Sequence, residues 1–166
     1  PELVESSFDF SGELTDEQKY FKKALDDYGC RNYIIKEVNG IKVALFGVEG
    51  IESLGWVPKG VEFKDYIDAA KETVKEIGDQ ADIIICLSHA GTTDSESGED
   101  FDLIKAVPEI DVVISAHSHT MYPKAIEYEG CILGSAGSNY EGLGEMDLDV
   151  SDGKVRLVNY RIIPVN

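Results

Sequence analysis

Residues 82–120 read DIIICLSHAGTTDSESGEDFDLIKAVPEIDVVISAHSHT. Two short apolar runs, Asp82 to Ser88 and Asp111 to Ala116, are rich in the β-branched side chains that suit strands buried on both faces. Between them lie a polar loop, His89 to Asp100, with Gly91 and Gly98, and a short helix over Phe101 to Val107 stopped by Pro108. Strand, crossover helix and strand predict two parallel neighbours in one sheet. Each strand ends in histidine: His89 follows the first, His117 and His119 the second. In an open α/β sheet the ligand site lies off the carboxyl ends of the strands. The three imidazoles are therefore expected to converge there.

Working outward, Leu14 to Tyr28 reads as a helix. Thr15 and Gln18 form a capping box, Tyr20, Phe21, Ala24, Leu25 and Tyr28 share a face, and Gly29 is the stop. Tyr33 to Val38, the Asn39-Gly40 turn and Ile41 to Val48 predict a hairpin. Gly47 to Gly60 is a loop, and Phe63 to Ile77 keeps the spacing of an apolar helix face. Downstream the pattern changes to antiparallel hairpins: Lys124 to Tyr128 with Cys131 to Ser135 around Glu129-Gly130, then Met146 to Val150 with Lys154 to Ile163. The order predicts an α/β fold with a mixed sheet, fed by crossover helices and ended by hairpins. No repeat or linker interrupts it, so the chain is one domain or one piece of a domain.

Composition agrees with a globular chain: 166 residues, 43% hydrophobic and 28% charged. No apolar run approaches the ~20 residues of a membrane helix, so no membrane insertion is expected. Pro1 to Ser7 has neither a basic start nor an apolar stretch, and reads as no signal peptide. A net charge of −17 argues against a nucleic-acid polymer or an anionic membrane as partner. Cys30, Cys86 and Cys131 are too scattered for a disulfide framework or a zinc knuckle, and Cys86 and Cys131 read as core.

The three histidines are the only ones in the chain. His117 and His119, two apart, point the same way if their turn is extended. Neutral imidazole ligates zinc, manganese or iron. One histidine alone is more often an isolated polar loop residue; three at two strand ends favour a metal site. Ser88 and His89 point to opposite faces of an extended chain, which argues against a nucleophile–base pair. Gly134 to Gly137 and Gly142 to Gly144 lack the helix a dinucleotide loop needs and read as turns near the site. Asp94, Glu96, Glu99, Asp100 and Asp102 do not fit a calcium loop and read as a solvated acidic loop, with a role as a lid left open. Trp56 either covers the core or lines a pocket.

Leu87-Ser88-His89-Ala90-Gly91 and Asp111 to Thr120 resemble the late motifs of the calcineurin-like metallophosphoesterases, within the 5′-nucleotidase and 2′,3′-cyclic-nucleotide phosphodiesterase group. Tyr33 to Gly50 looks like the hairpin before that group's central loop, and Gly134 to Leu148 like its closing strand region. The resemblance covers most of the chain from Tyr28 onward. It implies part of a four-layer α/β/β/α sandwich and two divalent ions ~3.5–4 Å apart that hold a phosphate and an attacking hydroxide. His89 and His117 would ligate one ion and His119 the other. Manganese, zinc, iron, calcium and magnesium are not distinguished by it. Ser138, Asn139 and Tyr140 would stand around the substrate, a phosphate ester and by family type a nucleotide.

The chain also departs from that pattern. The family's Asp-x-His and Gly-Asn-His motifs are absent, since no histidine precedes His89, and Gly78-Asp79 ends a helix rather than the strand that the family's Gly-Asp motif follows. The catalytic acid is therefore unassigned. Ala116 stands where the family has glycine. The chain thus resembles the C-terminal half of the catalytic domain over residues 1–166. Three readings follow: a piece of an enzyme active only with its upstream half, a non-catalytic metal-binding half-domain, or an interaction module with vestigial histidines. A half-domain would leave an apolar sheet edge to be covered by its missing half or by another copy. The family resemblance favours a place outside the cytoplasm, the unpaired cysteines one inside.

Overall fold

Capping chemistry sets the first helix. The Thr15 hydroxyl accepts from the Gln18 N–H and the Gln18 side chain accepts from the Thr15 N–H, so α1 runs Asp16–Tyr28 and ends at Gly29 with φ 87°. The computed structural model describes residues 2–56, 60–93 and 97–165, and of Trp56 the backbone alone. The expected place of the Trp56 ring, and of Asp94 and Glu96, lies outside the described residues. The apolar stripe expected on α1 is not buried: Tyr20 is 78% and Tyr28 58% exposed. Phe21 alone packs, edge-on to Phe8 at 5.3 Å, in a small cluster with Phe10 and Phe63.

Strands β1 (Tyr33–Val38) and β2 (Ile41–Glu49) form the expected hairpin. Asn39 and Gly40 both take positive φ, 54° and 83°, as a tight two-residue turn requires. Helix α2 (Tyr66–Ile77) begins later than its apolar spacing suggests. Asp65 caps it by accepting from the Ile67 and Asp68 N–H groups, while Phe63 stays extended and bridges to Phe8. There follow β3 (Ile83–His89), α3 (Glu99–Ala106), β4 (Val112–Ser115), β5 (Ile126–Tyr128), β6 (Cys131–Gly134), β7 (Gly142–Ser151) and β8 (Lys154–Pro164).

The main sheet has the order β1-β2-β3-β4-β6-β5. β2, β3, β4 and β6 are parallel, and the antiparallel hairpin strands β1 and β5 close the two edges. Strand alternation then builds two cores. On one face Phe46, Ile84, Cys86, Val113 and Leu133 pack against Tyr66, Ala70, Val74 and Ile77 of α2 and Phe101 and Ile104 of α3. On the other, Ile83, Val112 and Ile132 lie under Met146, Leu148, Val150, Val155 and Leu157 of the separate β7–β8 ribbon. Helices, sheet and ribbon are three layers, a mixed α/β architecture with a C-terminal antiparallel hairpin. Cys86 and Cys131 are core, as expected, and burial pushes both thiols up, Cys131 to about 12.

One exposed apolar pair lies on a face of the sheet. Leu87 and Ile114, neighbours in register, are 40% and 41% exposed. They share the ribbon's side of the sheet but lie beyond the ribbon, at the histidine end. The turns Asn39-Gly40 and Glu129-Gly130 fold β1 and β5 alongside β2 and β6, and β1 and β5 are the outermost strands of the sheet.

The N-terminal segment lies across the end of β2: the Ser6 N–H donates to the Gly47 carbonyl, and Val4 bridges Arg31. Gly47 permits this approach, since a Cβ there would sit 2.6 Å from the Val4 oxygen. The segment buries Glu5, and that burial, with Glu49 nearby, raises its carboxyl from 4.5 to about 7 against hydrogen bonds from Ser7 and Ser6. A carboxyl raised on folding leaves stability whole below its unfolded value and removes it as pH rises through the folded one. The Glu5 contribution is therefore complete below pH 4.5 and lost by about pH 7, a loss on the order of 3 kcal/mol. Glu5→Gln is expected to flatten that part of the stability profile, as measured by urea denaturation across the same range.

Candidate metal centre

The site is set by the parallel register of β3 and β4, which pairs Ser88 with Ser115. The Ala116 N–H donates to the Ser88 carbonyl and carries the ladder one residue further. Ser88 is buried at 3% exposure and faces the helices, so His89, the last residue of β3, emerges on the opposite face.

His117 and His119 do not sit in an extended turn. Both take the left-handed conformation, at φ 70° and 57°, at ~1–2 kcal/mol each for a side-chain-bearing residue. The reason is Ser118 between them. Its N–H donates to the Ala116 carbonyl, and its hydroxyl accepts from the Thr92 N–H and lies 3.0 Å from the Thr120 hydroxyl. With Ser118 turned inward, both histidines face out into one cavity. Ala116 itself is not left-handed, so alanine in place of glycine is accommodated.

That cavity, about 430 Å³, is lined by His89, His117, His119 and the turn Ala136 to Tyr140 with Gly142. Ser138, Asn139 and Tyr140 therefore do reach the histidines' cavity. Asn139 and Tyr140 have positive φ, 55° and 58°, and Tyr140 is 91% exposed. The His89 and His117 rings are 5.1 Å apart at 67°. Two imidazoles on one tetrahedral ion, at nitrogen–metal distances of ~2.0–2.1 Å, bring their ring centres to ~5 Å, so this pair fits a shared ion. Among the described residues no group of three His, Cys, Asp or Glu side chains is drawn together for a metal, so His89 and His117 are a pair, with His119 on the same wall.

Two acidic residues escaped the sequence reading. Glu52 carries Oε2 to 4.0 Å from His117 Nε2. It is held there by Glu99, whose carboxylate accepts from the Ile51 and Glu52 N–H groups at 2.6 and 3.1 Å. Nothing in sequence spacing announces this long-range contact. Asp100, read as part of a solvated loop, is instead fully buried, with Ser88, Ser115 and the Gly91 N–H donating to its carboxylate. Burial raises its carboxyl while those donors lower it. A signal was present: Asp100 begins the inward stripe of α3 that continues through Leu103 and Ile104 to Val107, the residue just past its end, at helical spacing.

With this geometry in view, the likenesses to known proteins carry weight. No family model matches the chain. An uncharacterized metallophosphoesterase of Bacillus subtilis, YunD, is 34% identical over 125 residues, 70% of this chain and 25% of that protein. The trifunctional nucleotide phosphoesterase protein YfkN of the same organism is 32% identical over 127 residues, 72% of this chain and 8% of that protein. Over the aligned residues the chain is similar in sequence to metallophosphoesterases. A putative 5′-nucleotidase of Staphylococcus aureus, solved with α-ketoglutarate, superposes with a TM-score of 0.73 at 18% identity, covering 98% of this chain and 32% of that one, a likeness of fold. The chain thus spans a quarter or less of the curated metallophosphoesterases it matches. No described helix is long and apolar enough to cross a membrane.

The turn that presents the histidines depends on Gly91, at φ 89°, where a Cβ would meet Ser118 Cβ at 3.2 Å and the Ala116 oxygen at 3.3 Å. Gly91→Ala is expected to cost ~1–2 kcal/mol and to shift the His117 and His119 imidazole resonances. Thermal denaturation and an imidazole NMR spectrum check both effects.

Proposed function

We propose that the protein carrying this chain hydrolyses phosphate esters of nucleotides at a two-metal centre, with this chain supplying one wall of it. The observation that carries the reading is the pair His89–His117, 5.1 Å apart at the ends of adjacent parallel strands, with His119 on the same cavity. Phosphate-ester hydrolysis is the chemistry named for its metallophosphoesterase relatives. Nucleotides enter through the names of the nucleotide phosphoesterase and the 5′-nucleotidase that it resembles.

The residues divide the work by position. His89 and His117 would hold one divalent ion and His119 would contribute to a second, with the remaining ligands coming from outside this chain. Bound ions would neutralise phosphoryl charge and lower the pKa of a water. Glu52, with Oε2 4.0 Å from His117 Nε2, lies beyond hydrogen-bond reach and would act on the imidazole through its charge. Ser138, Asn139 and Tyr140 form the opposite rim and would contact the substrate. The chain carries −17 and Glu52 stands 4.0 Å from His117, so bound divalent ions would supply the positive charge that a phosphate needs at this wall.

The test is turnover of 5′-AMP, 2′,3′-cyclic AMP and p-nitrophenyl phosphate by the full-length protein, with manganese and after chelation. Chelation is expected to abolish activity. His117→Ala is expected to lower kcat/KM by at least ~100-fold, the upper end of the loss caused by removing a mere partner of a metal ligand. Undiminished turnover in His117→Ala would remove the reading. Metal binding by the chain without turnover in the full-length protein would leave a non-catalytic metal site.

A further inference from the structure

A single buried carboxylate joins the two strands that carry the histidine pair. Asp100, at 0% exposure in the first turn of α3, accepts from Ser88 on one oxygen and from Ser115 on the other, each at 2.5 Å. These two serines are register partners at the ends of β3 and β4. Ser88 immediately precedes His89, and Ser115 stands two residues before His117. The same aspartate fixes the next stretch of chain: Gly91 donates its N–H to the carboxylate, and the Asp100 N–H donates back to the Gly91 carbonyl at 3.0 Å. The Ser88 hydroxyl also accepts from the Ala90 N–H at 3.2 Å. Among the described residues, the hydrogen bonds to the carboxylate therefore land on the segments from which His89 and His117 leave the sheet.

Burying an ionisable group is costly, and an apolar residue of similar size is often as stable or more so. Stability alone therefore gives little reason for an aspartate here, in a stripe otherwise completed by Leu103, Ile104 and Val107. What an apolar residue cannot do is tie two strand ends to each other at hydrogen-bond precision. The neighbouring Thr92, Ser118 and Thr120 hydroxyls fix the turn beyond His117, and their hydrogen bonds among the described residues do not run to β3. Those of Asp100 do.

We propose that Asp100 is the positioning residue of the histidine pair: through Ser88 and Ser115 it sets the separation of the His89 and His117 imidazoles that a shared metal ion requires. Asp100 touches neither ring and is not a catalytic residue. The proposal rests on the metal-centre reading above for its purpose, but its geometric content stands on the metal-free protein.

The chain has three histidines, so an imidazole NMR spectrum resolves each ring. In Asp100→Ala the His89 and His117 resonances are expected to move while His119 stays, and zinc affinity by competition titration is expected to fall ~10–100-fold. Asp100→Asn, which keeps the shape and one acceptor oxygen, should restore most of that affinity. Should Asp100→Ala fail to fold, Ser115→Ala cuts only the tie to β4 and is expected to move His117 and leave His89 in place. A folded Asp100→Ala, or failing that a folded Ser115→Ala, with the wild-type imidazole spectrum would overturn the proposal. So would a loss of zinc affinity that Asp100→Asn does not recover. A wild-type chain that takes up no zinc or manganese would instead count against the metal reading, and the metal-free spectra would still decide the role of Asp100.

Discussion

The parallel pairing of β3 with β4 is the constraint on which the functional end of this chain depends. The register places Ser88 beside Ser115, and that placement has two consequences on opposite faces of the sheet. Toward the helices, the two hydroxyls meet the same carboxylate. Toward the ribbon side, His89 leaves one strand while His117 leaves the next from a left-handed turn. A slip of one residue in either strand would send the serines to the open face and the histidine into the helix-side core. The strong apolar alternation of Ile83 to Cys86 against Val112 and Val113 prevents that slip, because each side chain is committed to one of two separate cores.

The two faces of the sheet are finished differently. The helix face is closed by α2 and α3 and holds the largest buried side chains, among them Phe46, Phe101 and Leu133. Among the described residues, the opposite face is covered at one end, by β7 and β8. Its remaining apolar residues, Leu87 and Ile114, border the histidines. The metal-site wall and the uncovered apolar surface are thus one continuous region, which accords with a chain that spans a quarter or less of its curated relatives.

Much of this was legible before any coordinates. The capping box at Thr15, the Asn39-Gly40 and Glu129-Gly130 turns and the apolar strands are local signals, and each element formed where they place it. Helix α2 shows the limit of periodicity: Phe63 keeps the apolar spacing, but Asp65 captures the free N–H groups and sets the start. The extended turn expected at His117 to His119 failed for a related reason. Its conformation follows from Ser118 bonding to Thr92 and Thr120, contacts that spacing does not encode. Asp100 passed for a solvated acid because its neighbours in sequence are acidic, while its neighbours in space are two serines.

Sequence by itself determined the α/β order, the three histidines at strand ends and the family pattern they form. These follow from short-range rules: side-chain period, capping and turn chemistry. Tertiary structure decided that His89 and His117 stand 5.1 Å apart, that Glu52 approaches His117, and that one buried aspartate ties both strands. Those contacts join residues distant in the chain, and only the packing of α3 against the paired strands brings them within hydrogen-bond reach.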